Sequence, residues 1–330
     1  MKKFVNEIDN MLDESLSGFG HAHADIIDVH FKPNFITRKI KPKKEKVAII
    51  SGGGSGHEPL HGGFVGVGML DAVCPGQIFS SPSPDQMEAA AKNIDYGKGI
   101  LFIIKNYSGD LMNFEMACDL ISMPSETIIV NDDVAVEDST FTTGRRGVAG
   151  TLIVEKTVGS LAENGASIED CKDFGKLVNR MTGSMGVALS SCTVPAAGKP
   201  TFNIGDDEVE FGVGIHGEPG RKREKIKTAN EIAENLLEPI LNDLKISSNQ
   251  EVLLHVNGFG NTTLMELYLL FEAANKILSR KKIIISRSLV GNYTTSLDMA
   301  GASITITKLN DDIKEHWDSP VHTAALRWKI

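Results

Sequence analysis

The chain has 330 residues, 41% of them apolar, and a formal net charge of −9. That length is about twice the usual domain size and allows two cores, while the acidic balance speaks against a broad nucleic-acid surface, which needs clustered Lys and Arg. No apolar run approaches the ~18 residues of a membrane span, so the composition predicts no membrane partner.

The opening "MKKFVNEIDNML" lacks the apolar core and cleavage site of a secretory signal, and the chain reads as cytoplasmic. Phe4, Val5, Ile8, Met11, Leu12 and Leu16 share one helical stripe, which Gly18 is placed to end. Short apolar runs follow, "KVAIIS" (46–51), "GILFIIK" (99–105) and "TIIVN" (127–131), alternating with helical patterns such as "SPDQMEAAAKNI" (83–94). That alternation predicts a mostly parallel, Rossmann-like α/β sheet covered on both faces. Val148–Leu161 reads as a buried helix, and Ser167-x-x-Asp170 opens the next.

Near residues 181–186 the character changes. "MGVALSSC", "EVEFGVGI", "EVLLHVN", "KIIISRS" and "SITITKL" are strand-like, and two helices open at Thr228-x-x-Glu231 and Thr263-x-x-Glu266 capping boxes. We therefore expect an N-terminal α/β domain over 1–183 and a C-terminal α+β domain with a mixed or antiparallel sheet over 184–330. The basic runs at 38–44 and 221–225 read as solvated loops, and Cys74, Cys118, Cys171 and Cys192 as buried thiols, too dispersed for a metal or redox pair.

Candidate chemistry gathers at strand ends. "SGGGSGHEPLHGG" (51–63) follows the first apolar strand, where ligands of α/β sheets bind and glycine lets backbone amides approach them, yet it fits no nucleotide fingerprint. It contains a literal HExxH, His57 to His61, but Pro59 and the surrounding glycines disfavour the helix that a zinc site needs, so no metal is expected. "IIKNYSGD" offers Lys105 and Asp110, either a site pair or a solvated Lys beside a turn-bound Asp. Similarly, "NDDVAVEDSTFTTGRRG" offers Asp132, Asp133, Asp138, Arg145 and Arg146, which could serve catalysis or only hold a long loop. In the second half, His216 stands alone in "FGVGIHGEPG", framed by Gly214 and Gly217 where backbone can come close to a ligand. Three strand ends and an isolated histidine suggest one site at a domain interface. The remaining histidines, His61 included, read as structural.

"SGGGSGHEP", "IIKNYSGD", "DDVAVEDSTFTTGRRGVAG", "CTVPAAGKP", "EFGVGIHGEPG", "TSLDMAG" and "WDSPVHTAALRW", in this order from about residue 47 onward, resemble the dihydroxyacetone kinase family, specifically its substrate-binding subunits. The resemblance implies that His216 binds dihydroxyacetone covalently as a hemiaminal through Nε2, selecting a ketone over glycerol, and that Asp110 accepts the proton of the phosphorylated hydroxyl. His57 would share in acid–base work, and Gly54, Ser55, Gly56 and Lys105 would line the pocket. It further implies no cofactor on this chain. An L-type partner would carry ADP/ATP with Mg, recharged by an M-type phosphoprotein of the phosphoenolpyruvate-dependent phosphotransferase system, and the chain would form a homodimer. The family also holds sensing paralogues that act as co-activators of a transcription regulator; Asp110, Asp132 and Asp133 favour the kinase subunit.

Overall fold

The computed structural model describes residues 2–135 and 143–329. Asp138, one of the candidates above, lies outside the described residues. The chain divides into two compact units. Unit 1 gathers residues 1–130, 153–177 and 315–330, and unit 2 gathers 131–152 and 178–314. Four borders thus stand where the sequence suggested one near residue 183.

Unit 1 starts with α1 (Met11–Ala22), β1 (Ile27–His30), β2 (Phe35–Arg38), β3 (Lys46–Ser55), β4 (Gly66–Val67) and β5 (Ala72–Ile78). It continues through α2 (Pro84–Asn93), β6 (Gly97–Lys105), α3 (Ser108–Leu120) and β7 (Ser125–Val130). Its main sheet has the order β1-β2-β5-β3-β6-β7, with β5, β3, β6 and β7 parallel and β1 and β2 antiparallel. This is the predicted mostly parallel sheet. The central strand β3 is buried along its whole length, as a strand covered on both faces should be. On one face Ala48, Ile50, Phe102 and Ile104 pack against Met87, Ala90 and Phe114 of α2 and α3.

Helices α4 (Gly150–Glu163) and α5 (Ile168–Arg180) each contain a unit border. Unit 2 continues with β8 (Thr182–Ala188), β9 (Glu208–Phe211), β10 (Lys222–Lys225), α6 (Ala229–Asp243), β11 (Glu251–Gly258), α7 (Leu264–Arg280), β12 (Ile284–Gly291) and β13 (Gly301–Lys308). Its sheet has the order β10-β9-β8-β13-β11-β12, parallel only between β11 and β12, which is the mixed sheet expected. Both predicted capping boxes form, at Thr228 and Thr263, and the helices they open bury Leu236, Ile240, Leu270 and Ile277 against Val252, Leu254 and Ile304. The chain then gives α8 (Asp311–Asp318), β14 (Val321–Thr323) and β15 (Arg327–Trp328); β15, β14 and β4 make a small third sheet.

Several local expectations change. Helix α1 begins only at Met11, Phe4 is fully exposed, and the helix runs through Gly18 to Ala22. A Cβ at Gly20 would lie 2.9 Å from Val29 Cγ2, so a glycine in this helix serves close packing on β1 rather than termination. The run at 221–225 is mostly the edge strand β10, whose Arg223 pairs with Glu208 and Glu210 of β9. Such a charged edge resists further strand pairing. Arg38, first in the other basic run, is buried: its Nη1 lies 2.9 Å from Asp71 and 2.7 Å from Glu163, and Lys46 Nζ binds both acids at 2.8 and 3.0 Å. Cys118 is only half-buried, unlike the other three free cysteines. Among the described residues no helix is long and apolar enough to cross a membrane.

Candidate functional site

In unit 1 the candidate residues stand at the carboxyl ends of two adjacent parallel strands. Strand β3 runs out through Gly52, Gly53, Gly54 and Ser55 into a turn that carries His57, and β6 ends on Lys105, three positions before the first residue of α3. Asp110 lies in the first turn of α3, where the helix dipole favours a carboxylate. His57, Lys105 and Asp110 are all buried. His57 stacks on Phe79 with ring centroids 5.1 Å apart, Ser55 Oγ donates to the Gly76 carbonyl at 2.7 Å, and the Glu58 carboxylate accepts the Gly56 N–H at 3.0 Å.

Lys105 explains the middle glycine. A Cβ on Gly53, whose φ is +151°, would come within 2.3 Å of Lys105 Nζ, so the ammonium occupies the space a side chain would fill. From there it donates to the Gly52 carbonyl at 3.2 Å and to His61 Nε2 at 2.7 Å, with Asp110 Oδ2 3.9 Å away. Burial pushes the Lys105 pKa down and the Asp110 pKa up; each ion partly offsets the shift of the other. An aspartate held above its ordinary range is a better base for a hydroxyl.

His61, read as structural, is part of the same cluster. Residues 57–61 form turns and no helix, so the HExxH string does not present two histidines from one helical face. Its Nδ1 lies 2.5 Å from Glu155 Oε1 on α4 and 3.1 Å from Ser51 Oγ. Glu155 escaped the sequence reading, although one signal was there: a charged residue inside the apolar stretch 148–161 must find a partner when the helix is buried.

In unit 2 the loop of His216 is held by ions. The carboxylate of Glu218 accepts the His216 backbone N–H at 2.9 Å and binds Arg146 at 3.1 Å. Arg146, 1% exposed, reaches Asp133 with Nε at 2.7 Å and Nη2 at 2.5 Å, and donates to the Gly212 carbonyl at 2.7 Å. Gly214 is required by this arrangement, since a Cβ there would sit within 2.7 Å of Arg146 Nη1 and closer still to the Glu218 carboxylate. Burial pushes the Asp133 pKa up to about 6 against the pull of Arg146. Asp132 accepts from the Val148 and Gly150 amides and from Ser184 Oγ, which makes it a holder of the loop after β7. Arg145 instead pairs with Asp243 at the surface. Glu218 was also missed, although its place two residues after His216 was legible.

The Dak1 domain matches residues 17–325. The chain is 42% identical to the dihydroxyacetone-binding subunit DhaK of the PEP-dependent dihydroxyacetone kinase of Escherichia coli, over 99% of both chains. It is 48% identical to the corresponding subunit of PTS-dependent dihydroxyacetone kinase 1 of Listeria innocua, over 94% of this chain and 95% of that one. Among solved structures, the dihydroxyacetone kinase operon co-activator Dha-DhaQ superimposes with a TM-score of 0.90 at 33% identity, over 97% of this chain and 98% of that one. The dihydroxyacetone kinase of C. freundii does so with a TM-score of 0.87 at 30% identity, over 98% of this chain but 60% of the other. This chain therefore belongs to the Dak1 family of dihydroxyacetone kinases and their dihydroxyacetone-binding subunits.

Proposed function

We propose that the chain is the dihydroxyacetone-binding subunit of a phosphoenolpyruvate-dependent dihydroxyacetone kinase. The observation that carries this is end-to-end similarity to separate binding subunits, while the same chain spans only 60% of the C. freundii kinase. His216 Nε2 attacks the ketone carbon; the N–C bond forms, the carbonyl electron pair moves to oxygen, that oxygen gains a proton and Nδ1 loses one, leaving a neutral hemiaminal. Glycerol has no carbonyl and cannot form this bond. Asp110 takes the proton of the terminal hydroxyl as phosphoryl arrives, with His57 sharing the acid–base work, and Gly54, Ser55, Gly56 and Lys105 line the pocket. The phosphoryl group comes from ADP/ATP with Mg on an L-type partner, recharged by an M-type phosphoprotein, and the binding subunit works as a homodimer.

A second reading, a co-activator that senses the same ketone, is supported by the likeness to Dha-DhaQ. Both are tested with dihydroxyacetone labelled with carbon-13 at its carbonyl carbon. Binding should move that resonance from the carbonyl to the tetrahedral region, His216→Ala should abolish the move, and ATP-loaded partner should then yield dihydroxyacetone phosphate. Asp110→Ala should keep the adduct and lose at least ~100-fold in transfer. An adduct without transfer from an active partner would favour the co-activator. No adduct at all would remove the covalent mechanism.

A further inference from the structure

The proposed reaction gives no task to two buried ionisable groups of unit 1, His61 and Glu155, yet they stand in line with Lys105. Glu155 Oε1 is 2.5 Å from His61 Nδ1, His61 Nε2 is 2.7 Å from Lys105 Nζ, and Nζ is 3.9 Å from Asp110 Oδ2. Glu155 and Lys105 have no solvent exposure, and His61 and Asp110 have 4% and 2%. Glu155 Oε2 has no hydrogen-bond partner among the described residues, and the carboxylate is held by His61 at Oε1 and by Ser51.

We propose that His61 and Glu155 are positioning residues for Lys105, which hold its amino group beneath Gly53 and set its charge by relaying protons along the two hydrogen bonds. The line has two arrangements with the same number of protons. In one, ionised Glu155 accepts the Nδ1–H of His61, and Nε2 accepts from the Lys105 ammonium. In the other, Nζ has given a proton to Nε2 and Nδ1 has given its proton to Oε1, leaving an amine, a neutral imidazole and a carboxylic acid. The imidazole is neutral in both, in keeping with a His61 pKa well below the ordinary value, which burial lowers most and the neighbouring Lys105 and His57 lower further.

Burial favours the arrangement without charges, and the opposite pulls on the two ends, Glu155 pushed up to about 8 and Lys105 pushed down, point the same way. The groups facing the line from the packed elements are Ser51 of β3, His57 and His61 of the turn, Lys105 of β6, Asp110 of α3 and Glu155 of α4. Of these, ionised Asp110 favours the ammonium. On the reading that Asp110 accepts the hydroxyl proton, protonation of Asp110 removes that attraction and the line shifts toward the uncharged arrangement. Lys105 is then a cation chiefly while its neighbour is ready to act as a base.

The test is carbon-13 NMR of the full chain labelled at lysine Cε, with Lys105 assigned by its loss in Lys105→Arg. Coupled groups titrate in two macroscopic steps. The unaltered chain should show a Lys105 signal that changes in two steps, the first below the ordinary lysine value of 10.5, and Glu155→Gln, which cannot take the proton, should reduce this to one. A single step at the same pH in both proteins would overturn the proposal. If Glu155→Gln does not fold, the unaltered chain decides: a single step at the ordinary lysine value of 10.5 overturns it. None of these signals needs turnover, so failure of the proposed function would show separately, as absent transfer with the titration intact.

Discussion

The two units use buried charge in opposite ways. Around His216, Arg146 faces two carboxylates and a carbonyl at hydrogen-bond distance, so its ionic state is matched and its product is a fixed backbone. Around Lys105, the cation stands 3.9 Å from Asp110 and donates to a neutral ring and one carbonyl, so the ions are under-matched and their protonation is adjustable. A matched cluster holds shape; an under-matched one holds a proton balance. On the proposed function, a histidine that binds its ligand covalently would need the first property, and a base that must release what it accepts would need the second.

Removing the cation of the matched cluster should have the largest effect. Arg146→Met leaves Asp133 and Glu218 buried without their partner and should cost about 3–5 kcal/mol, read as a lowered denaturation midpoint, together with loss of the dihydroxyacetone adduct. A variant as stable as the parent would mean that the cluster is not what holds the loop. Glu218→Gln keeps an oxygen for the His216 N–H but drops the charge. It should raise KM for dihydroxyacetone roughly 10-fold while changing kcat less; the reverse split would move Glu218 from placing the histidine to the transfer step.

In the under-matched half, Gly53→Ala displaces Lys105 Nζ without removing any ionisable group. A shift of about 1 Å should lower kcat ~100-fold with a smaller loss of stability, and unchanged kcat would detach Lys105 from the chemistry. The smallest effect concerns the ion cluster of Arg38, Lys46, Asp71 and Glu163, which lies in unit 1 yet is matched. Hydrogen bonding from Arg38 and the charges of Lys46 and Arg38 outweigh burial and hold Glu163 down at about 2 from an ordinary 4.5. Its stabilisation is complete above about 4.5 and disappears as pH falls through about 2. Glu163→Gln should therefore flatten the acid limb of stability between those values; an unaltered limb would show that another group carries it.

Much of this was legible. Apolar strands alternating with capped helices gave the parallel sheet, and glycine-rich turns after β3 and beside His216 marked where backbone must give way, because both signals are local. Glu155 and Glu218 were not legible as partners, since what makes them so is a histidine 94 positions away in one case and an arginine 72 away in the other. Strands β4 and β15 were invisible for a related reason. Each has two residues, too few for an alternating pattern, and exists because β14 lies between them.

The discontinuous make-up of unit 1 bears on how the molecule comes into being. Residues 315–330 supply β14 and β15, and with them β14 pairs with β4, which is made some 250 residues earlier. During synthesis the glycine-rich strand therefore emerges long before its own unit can be completed, and all of unit 2 is translated in the interval. A gene cut at any single point would divide unit 1, whereas a cut before residue 131 or after residue 314 would leave unit 2 on one fragment, so the under-matched cluster belongs to the unit that depends on an unbroken chain.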